Sequence, residues 1–314
     1  MTFEAHRAEL LAHCYRMLGS VDDAEDVVQE TMLRAWRARD GYDPGRASAR
    51  TWLYRIATNA CLTALAGRAR RPLPSGLGGP PSDDPDAPLT PAFEIPWLQP
   101  FPDARLAAAG DDPAATVVQR GSLRLALIAA LQVLPPKQRA VLLLREVLEF
   151  PAAEVASLLD TSVAAVNSAL QRARAALAEV GETGVEEPTD RVTRDTVDRY
   201  ARAFEIADVD GLVRLLTADA VLEMPPVPLW YRGRDDYAAF LRRVFAMRGE
   251  FWRVVRLEAN TQPAFAAYVR TDAGFALHTL QILTVTPAGQ ISRNVVFQDP
   301  SVFADFALPA LLAA

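Results

Sequence analysis

The 314-residue chain sets 33 Lys+Arg against 39 Asp+Glu and is half hydrophobic by composition, with a mean hydropathy near zero, +0.05. That length supports two or three globular domains, and no stretch approaches the ~20 consecutive apolar residues of a membrane-spanning helix. The first residues mix acids, bases and histidines without a continuous apolar core, so no secretory signal is expected and a cytoplasmic location is. The net charge of −6 is unevenly spread: residues 1–71 hold 11 Lys+Arg against 9 Asp+Glu, 72–115 hold 1 against 7, 116–180 hold 7 against 5, and 181–314 hold 14 against 18. Two mildly basic blocks therefore stand apart from the acidic segments, and overall acidity does not exclude a nucleic-acid partner. Cys14 and Cys61 sit among apolar helical neighbours and read as reduced core residues. No His/Cys cluster has ligand spacing, so neither a metal nor another cofactor is expected.

Residues 5–71 read as all-helical. In DAEDVVQETMLRAWRAR, Ala24, Val27, Val28, Thr31 and Ala35 recur at helical spacing, with Asp23, Asp26, Glu30, Arg34 and Arg37 along the other side. The row Asp23, Asp26 and Glu30 offers a charged face to a basic partner. DPG at 43–45 interrupts, and ARTWLYRIATNACLTALAGRARR predicts a second long helix. Residues 44–71 contain no acid but hold Arg46, Arg50, Arg55, Arg68, Arg70 and Arg71, with Trp52 and Tyr54 among them. Guanidinium groups interleaved with aromatics suit phosphates and unstacked bases; a solvated basic face is the alternative.

Residues 72–115 hold most of the clustered prolines and predict a linker. Fully extended at ~3.3 Å per residue it reaches up to ~145 Å, against ~70 Å for two turns of duplex. Trp97, Leu98 and Phe101 in IPWLQPFPD predict a docking segment, because a solvated tether has no use for two large apolar rings; a chance aromatic pair is the alternative. Residues 116–180 are helical again, and AAEVASLLDTSVAAVNSALQRARAAL has helix-turn-helix proportions. Val155, Leu158 and Leu159 form the inner face of its first helix, and Val163, Val166, Leu170 and Leu177 that of its second, which Ser162 caps. The remaining face presents Asn167, Ser168, Gln171, Arg172 and Arg174, a set that can touch base edges and phosphates. An ordinary helical hairpin is the alternative.

Beyond a short acidic bridge, helices are predicted over 192–217 and 234–247 and strands over 251–259, 264–271, 274–286 and 290–298. Phe275, Leu277, Thr279 and Gln281 alternate along the third strand. Helices followed by a strand run predict an α+β domain with a curved sheet. His278, Asp272, Glu223, Tyr231 and Asp219 supply an acid–base pair if they converge; a packed or solvent-facing histidine is the plainer reading. Trp230, Met224, Phe265, Phe275 and Phe297 read as core or pocket lining.

Three stretches, DAEDVVQETMLRAWRA, TWLYRIATNACL and LPPKQRAVLLLREVLEFPAAEVASLLDTSVAAVNSALQRARAAL, resemble in order the region 2 and region 4 signatures of extracytoplasmic-function sigma factors of the sigma-70 family. The resemblance covers residues 5–71 and 116–180. It implies a multidomain chain with two all-α sigma domains, a region 2 helical bundle and a region 4 helix-turn-helix, joined by the acidic linker. It implies core RNA polymerase and promoter DNA as partners, and no enzymatic activity. By position, Asp26, Gln29, Glu30 and Arg34 are implied to grip the polymerase clamp helices. The loop and helix of residues 44–60 are implied to read the −10 element, with Asn59 in IATN receiving a flipped base; Arg50, Trp52, Arg55, Arg68, Arg70 and Arg71 belong to the same expected surface. Asn167, Ser168, Gln171 and Arg172, with Arg174 beside them, are implied to enter the −35 major groove. Asn167 and Gln171 stand where relatives often carry bulkier or charged residues.

Residues 190–303 resemble a SnoaL-like domain, through a helix, the pattern D.D.L..LL..DA, an extended stretch and Y.G. This implies a cone-shaped α+β barrel around an apolar pocket, used by small enzymes and by binding modules alike, and leaves room for a small-molecule ligand. In sigma factors fused to this domain, the extension is implied to regulate the sigma domains in place of a separate anti-sigma protein. WLQPFPD resembles a linker motif of that subgroup, whereas its glycine-rich DGGG run has only TDAGF as a counterpart here. Two rival functions stay open: a free-standing helix-turn-helix repressor, and a fusion whose main work is chemistry in the C-terminal domain.

Overall fold

The computed structural model describes residues 3–45, 47–105, 122–180 and 190–313. The chain divides into two compact units. The first joins the segment ending at Arg71 to the segment starting at Leu98, and the second joins Pro72–Trp97 to the C-terminal part.

In the first unit, α1 (Arg7–Leu18), α2 (Val21–Arg37) and α3 (Ala49–Leu65) pack together. Ser20 caps α2 by accepting a hydrogen bond from the Asp23 amide, and the expected stripe Ala24, Val27, Val28, Thr31 and Ala35 is buried. Gly19 ends α1 at φ 68°, and a Cβ there would lie 2.8 Å from Leu98 Cδ1. Only glycine meets both the left-handed backbone and the close approach. Ser48 caps α3 through the Thr51 amide. The helix stops at Leu65 rather than continuing to Arg71: Ala66 turns extended and Gly67 takes φ 76°. Leu98 and Phe101 are buried on this bundle, with the Phe101 ring 4.9 Å from that of Tyr15, whose hydroxyl donates to the Gln99 carbonyl at 2.8 Å.

The same unit continues through α4 (Leu125–Val133), α5 (Pro136–Leu142), a π-helical turn at Leu143–Val147, α6 (Ala152–Leu158) and α7 (Val163–Val180). The α6–α7 turn bends at Asp160, φ 50°, and Ser162 caps α7 by accepting from the Ala165 amide. Val166, Ala169, Leu170 and Ala173 form the buried face of α7. Val163 is a correction: as the first residue of α7 it is 44% exposed, outside the inner face.

The second unit opens with α8 (Asp190–Glu205) and α9 (Val209–Arg214). The single helix predicted over 192–217 is thus broken, because Ala207 takes φ 54° and Asp208 caps a new helix through the Gly211 amide. β1 (Leu216–Met224) and β2 (Val227–Arg232) precede α10 (Arg234–Arg248). Next come β3 (Trp252–Ala259), β4 (Gln262–Thr271), β5 (Gly274–Val285), β6 (Ile291–Phe297), α11 (Pro300–Asp305) and the short β7 (Leu311–Leu312). The sheet order is β2-β1-β6-β5-β4-β3, with β7 beside β5. Only the β1–β6 pairing is parallel. Tyr200, Phe204, Leu222, Tyr237, Phe265 and Leu283 belong to the main core; each fully buried large apolar side chain contributes about 1.5–3 kcal/mol relative to exposure. Because side chains alternate along β4, Phe265 and Ala267 face that core while Ala266 and Tyr268 face a smaller cluster with Phe275. Phe275, expected to line the same core or pocket as Phe265, therefore lies on the other face.

Residues 72–97 form a strap on this unit. The Ser82 amide donates to the Trp230 carbonyl at 2.8 Å and the Ala92 amide to the Pro226 carbonyl at 2.9 Å, while Leu89 packs against the core. The strap covers backbone groups of β2, an edge strand that would otherwise be open to another chain.

Candidate functional site

The outer face of α2 follows from its amphipathic spacing. Asp26 and Gln29 are exposed, and Glu30 pairs with Arg34 at 2.6 Å one turn on. Asp23, predicted for the same acid row, turns elsewhere and pairs with Arg68 and Arg71 at 2.9 and 2.8 Å. The row continues into two apolar side chains that sequence reasoning missed, Leu33 and Trp36, exposed by 40% and 59%. Their signal was present, since both fall outside the buried stripe. Arg39 lies over the Trp36 ring at 4.3 Å.

A recess of about 300 Å³ opens between α2 and α3, lined by Arg34, Ala38, Trp52, Arg55, Ile56 and Asn59. Trp52 is held by ring contacts with Tyr42 at 4.9 Å and Phe3 at 5.6 Å. The Tyr42 hydroxyl donates to the Ala47 carbonyl, fixing the loop before α3. Asn59 is exposed and donates from its side-chain amide to the Arg55 carbonyl at 2.9 Å. The recess offers an indole wall, two guanidinium groups and an amide, which suits a planar base and its phosphates.

The remaining arginines of the predicted basic surface lie apart from that recess. Arg68, Arg70 and Arg71 line a second recess with Asp23 and Arg139. Arg50 donates to Glu9 Oε2 at 2.8 Å and stands over the Tyr54 and Phe150 rings at 4.9 and 5.2 Å. Arg46 lies outside the described residues. Beside Arg50, the Thr51 hydroxyl donates to Glu154 Oε1 at 2.6 Å and the Tyr54 ring meets Phe150 edge-on at 5.5 Å. The first three helices and the helix-turn-helix segment are therefore docked through α3.

On α7, Asn167, Ser168, Gln171, Arg172 and Arg174 are all exposed. Arg172 donates to Ser168 Oγ at 2.6 Å, and Arg174 pairs with Glu146 at 2.5 Å. Arg174 is thus tied to the π-helical turn, while Asn167, Gln171 and Arg172 point away from the fold.

In the second unit the predicted acid–base residues have separate partners. Glu223 is fully buried, pairs with Arg293 at 3.2 Å, and accepts from the Ser75 amide at 2.9 Å. Tyr231 donates to the Asp84 carbonyl. His278 stands by the Trp252 ring at 5.5 Å; burial and the Arg248 charge lower its pKa to about 4. Asp272 and Asp219 are exposed. Inside the fold lies a polar cluster that sequence reasoning did not single out. The Tyr200 and Tyr237 hydroxyls are 2.8 Å apart, and the Asn294 amide lies 2.8–3.3 Å from Gln281 and both hydroxyls. Burial raises both tyrosines, Tyr237 to about 12, so they are neutral hydrogen-bonding groups. Gln281, a polar residue in an alternating apolar strand, was the available signal.

Among the described residues, no group of three or more His, Cys, Asp and Glu is placed to hold a metal ion, and no helix is long and apolar enough to cross a membrane. Cys14 and Cys61 are free and buried.

Comparison with known proteins gives three family matches: sigma-70 region 2 over residues 2–71, sigma-70 region 4 over 124–177, and a SnoaL-like domain over 197–294. The chain is 49% identical over 313 residues to the ECF RNA polymerase sigma factor SigG of Mycobacterium tuberculosis, covering 98% of this chain and 82% of that one. It is 31% identical over 245 residues to the sigma factor SigJ of the same organism, covering 76% and 70%. The crystal structure of SigJ superposes over 98% of this chain and 99% of that one, with a TM-score of 0.66 at 25% identity.

Proposed function

Because the chain belongs to the extracytoplasmic-function sigma factors of the sigma-70 family and is an alternative sigma factor with a C-terminal SnoaL-like domain, we propose a residue-level division of its work. The face of α2 bearing Asp26, Gln29, Glu30, Leu33 and Trp36 binds core RNA polymerase. The recess at Trp52, Arg55 and Asn59 takes an unstacked base of the −10 element, and Asn167, Gln171 and Arg172 read the −35 element. The observation that supports this most is the recess, where an aromatic wall, an amide and guanidinium groups meet on the helix that carries Asn59. Two arginines on α7 make a weak autonomous DNA binder, since affinity follows the number of phosphates neutralised. Polymerase supplies what is missing by holding both readers on one DNA at high effective concentration.

The SnoaL-like unit serves regulation rather than catalysis. Its buried tyrosines are neutral, and Glu223 is occupied by Arg293 and the Ser75 amide. It holds residues 72–97, part of the segment between regions 2 and 4, so a change in that grip, combined with release of Phe101 from region 2, alters the length of chain free to separate the two readers. Region 4 must also leave α3 before the two elements, two turns of duplex apart, can be read together. The protein acts in the cytoplasm, where polymerase and promoter meet.

Run-off transcription with purified core polymerase on genomic promoter fragments tests the reading. New transcripts should require this protein, and a chain ending near residue 185 should bind polymerase yet differ in output. Absence of new transcripts on every fragment, with DNA binding that needs no polymerase, would instead establish a repressor.

A further inference from the structure

Residues 82–92 lie along β2 and α10 as a bound peptide lies along its receptor. The run SDDPDAPL carries its own turn signal, with Asp84 at the first position and Pro85 at the second. The Ala87 amide closes that turn on the Asp84 carbonyl at 3.3 Å. Arg243 Nη1 donates to the Pro85 and Ala87 carbonyls at 2.8 and 2.7 Å, and the Tyr231 hydroxyl donates to that of Asp84 at 3.1 Å. On either side of the turn, the Ser82 and Ala92 amides donate to the Trp230 and Pro226 carbonyls. Leu89 packs against the main core, while the side chains of Asp83, Asp84 and Asp86 are on exposed residues. Tyr231 is itself fully buried, its ring stacked on Phe240 at 5.1 Å, so the core holds that hydroxyl in place.

We propose that β2 and α10 form a recognition groove for a proline turn followed by leucine, in the pattern Asp-Pro-x-x-x-Leu. The strap fills this groove in cis, and a partner protein presenting an extended segment of the same chemistry displaces it. The groove reads main-chain carbonyls and amides plus one apolar side chain, which any segment with that turn and leucine spacing supplies. Each hydrogen bond adds modestly to binding, because water replaces it on release. The strap therefore holds its place chiefly by the high effective concentration of a tethered ligand. A partner that also touches the surface beside the groove outcompetes it. The consequence of displacement for the tether rests on the regulatory reading above; the binding itself does not.

Fluorescence anisotropy of a labelled synthetic peptide spanning residues 80–94 tests the groove without polymerase, and so separately from the regulatory reading. The receptor is the full chain with Ser82→Pro and Leu89→Ser, which remove an amide donor and the apolar anchor from its own strap. Saturable binding is expected, with a Kd at least tenfold lower than for the unmodified chain, whose strap competes. Adding Arg243→Gln to the receptor should raise Kd roughly tenfold or more, since a charged donor to two carbonyls is lost. A peptide carrying Leu89→Ser should lose binding to the same extent, and this change leaves the receptor's fold untouched. Absence of saturation overturns the proposal, as does equal binding of a scrambled peptide, of the Leu89→Ser peptide, or to the unmodified chain. Dimers of the unmodified chain in light scattering, dissolved by excess peptide, would make the occupant a second copy's strap and overturn a separate partner.

Discussion

At the scale of single residues, the two proposed DNA readers differ in what they need from their neighbours. Asn59 depends on a recess built by Trp52, Arg34 and Arg55, whereas Arg172 stands on an open helix face with Ser168 as its hydrogen-bond partner among the described residues. Arg172→Ala should cost ~1–3 kcal/mol of discrimination at one −35 base pair and leave −10 variants equally ranked. Asn59→Ala should do the reverse. Transcription from a matrix of mutated promoters separates them, and interchangeable effects would remove the assignment. A second residue-scale expectation concerns acid. His13 is buried beside Tyr54 with its Nε2 2.9 Å from the Thr58 hydroxyl, and burial with the Arg16 charge lowers its pKa to about 3. With His278 at about 4, both imidazoles stay neutral in the fold while the unfolded chain protonates them below 6.5. Their contribution is complete above that pH and declines as pH falls toward the folded values, by up to about 1.4 kcal/mol per pH unit for each. Denaturant unfolding between pH 7 and 5 should show this slope, and His13→Gln should make it shallower.

At the scale of elements, α2 shows how a stripe specifies two functions at once. Its buried positions hold the bundle, which leaves exposed positions such as Asp26, Gln29, Leu33 and Trp36 to a partner. Asp26→Arg with Glu30→Arg should abolish co-purification with core polymerase without lowering stability by more than about 1 kcal/mol, because both sites are outside the core. Retained binding would move the polymerase contact elsewhere. This helix was legible in the sequence because its period of apolar residues is local. So were β3 to β6, whose alternation survives inside single strands. β1 and β2 were not, since Met224 to Pro228 break the pattern and their pairing with β6 lies far along the chain. The run after Leu65 reads as helix by alanine and arginine content, yet Gly67 turns the chain, and Arg68 and Arg71 pair with Asp23. The Asn59 recess was legible only as a composition; its walls assemble from α2 and α3 together. The docking of Phe150 and Glu154 on α3 is purely tertiary and left no mark on the local pattern.

At the scale of the whole molecule, the segment between the two sigma regions is divided by function rather than left as one tether. Residues 72–97 belong with the SnoaL-like unit, and Leu98 and Phe101 with region 2. The seating of Phe101 on Tyr15 beside Gly19 has a metric consequence for promoters. Once Phe101 is seated, only residues 106–121 join the docked stretch to Ser122, a chain that covers at most ~60 Å. Two turns of duplex measure ~70 Å. A seated ring thus acts as a ruler: it leaves no slack for a long spacer between the −10 and −35 elements and admits the short ones at the lowest cost. Phe101→Ala should lengthen the ruler, so in a promoter series whose spacers differ by single base pairs the optimum should broaden toward the longer members. An unchanged spacer profile would mean that the ring leaves its seat whenever polymerase binds.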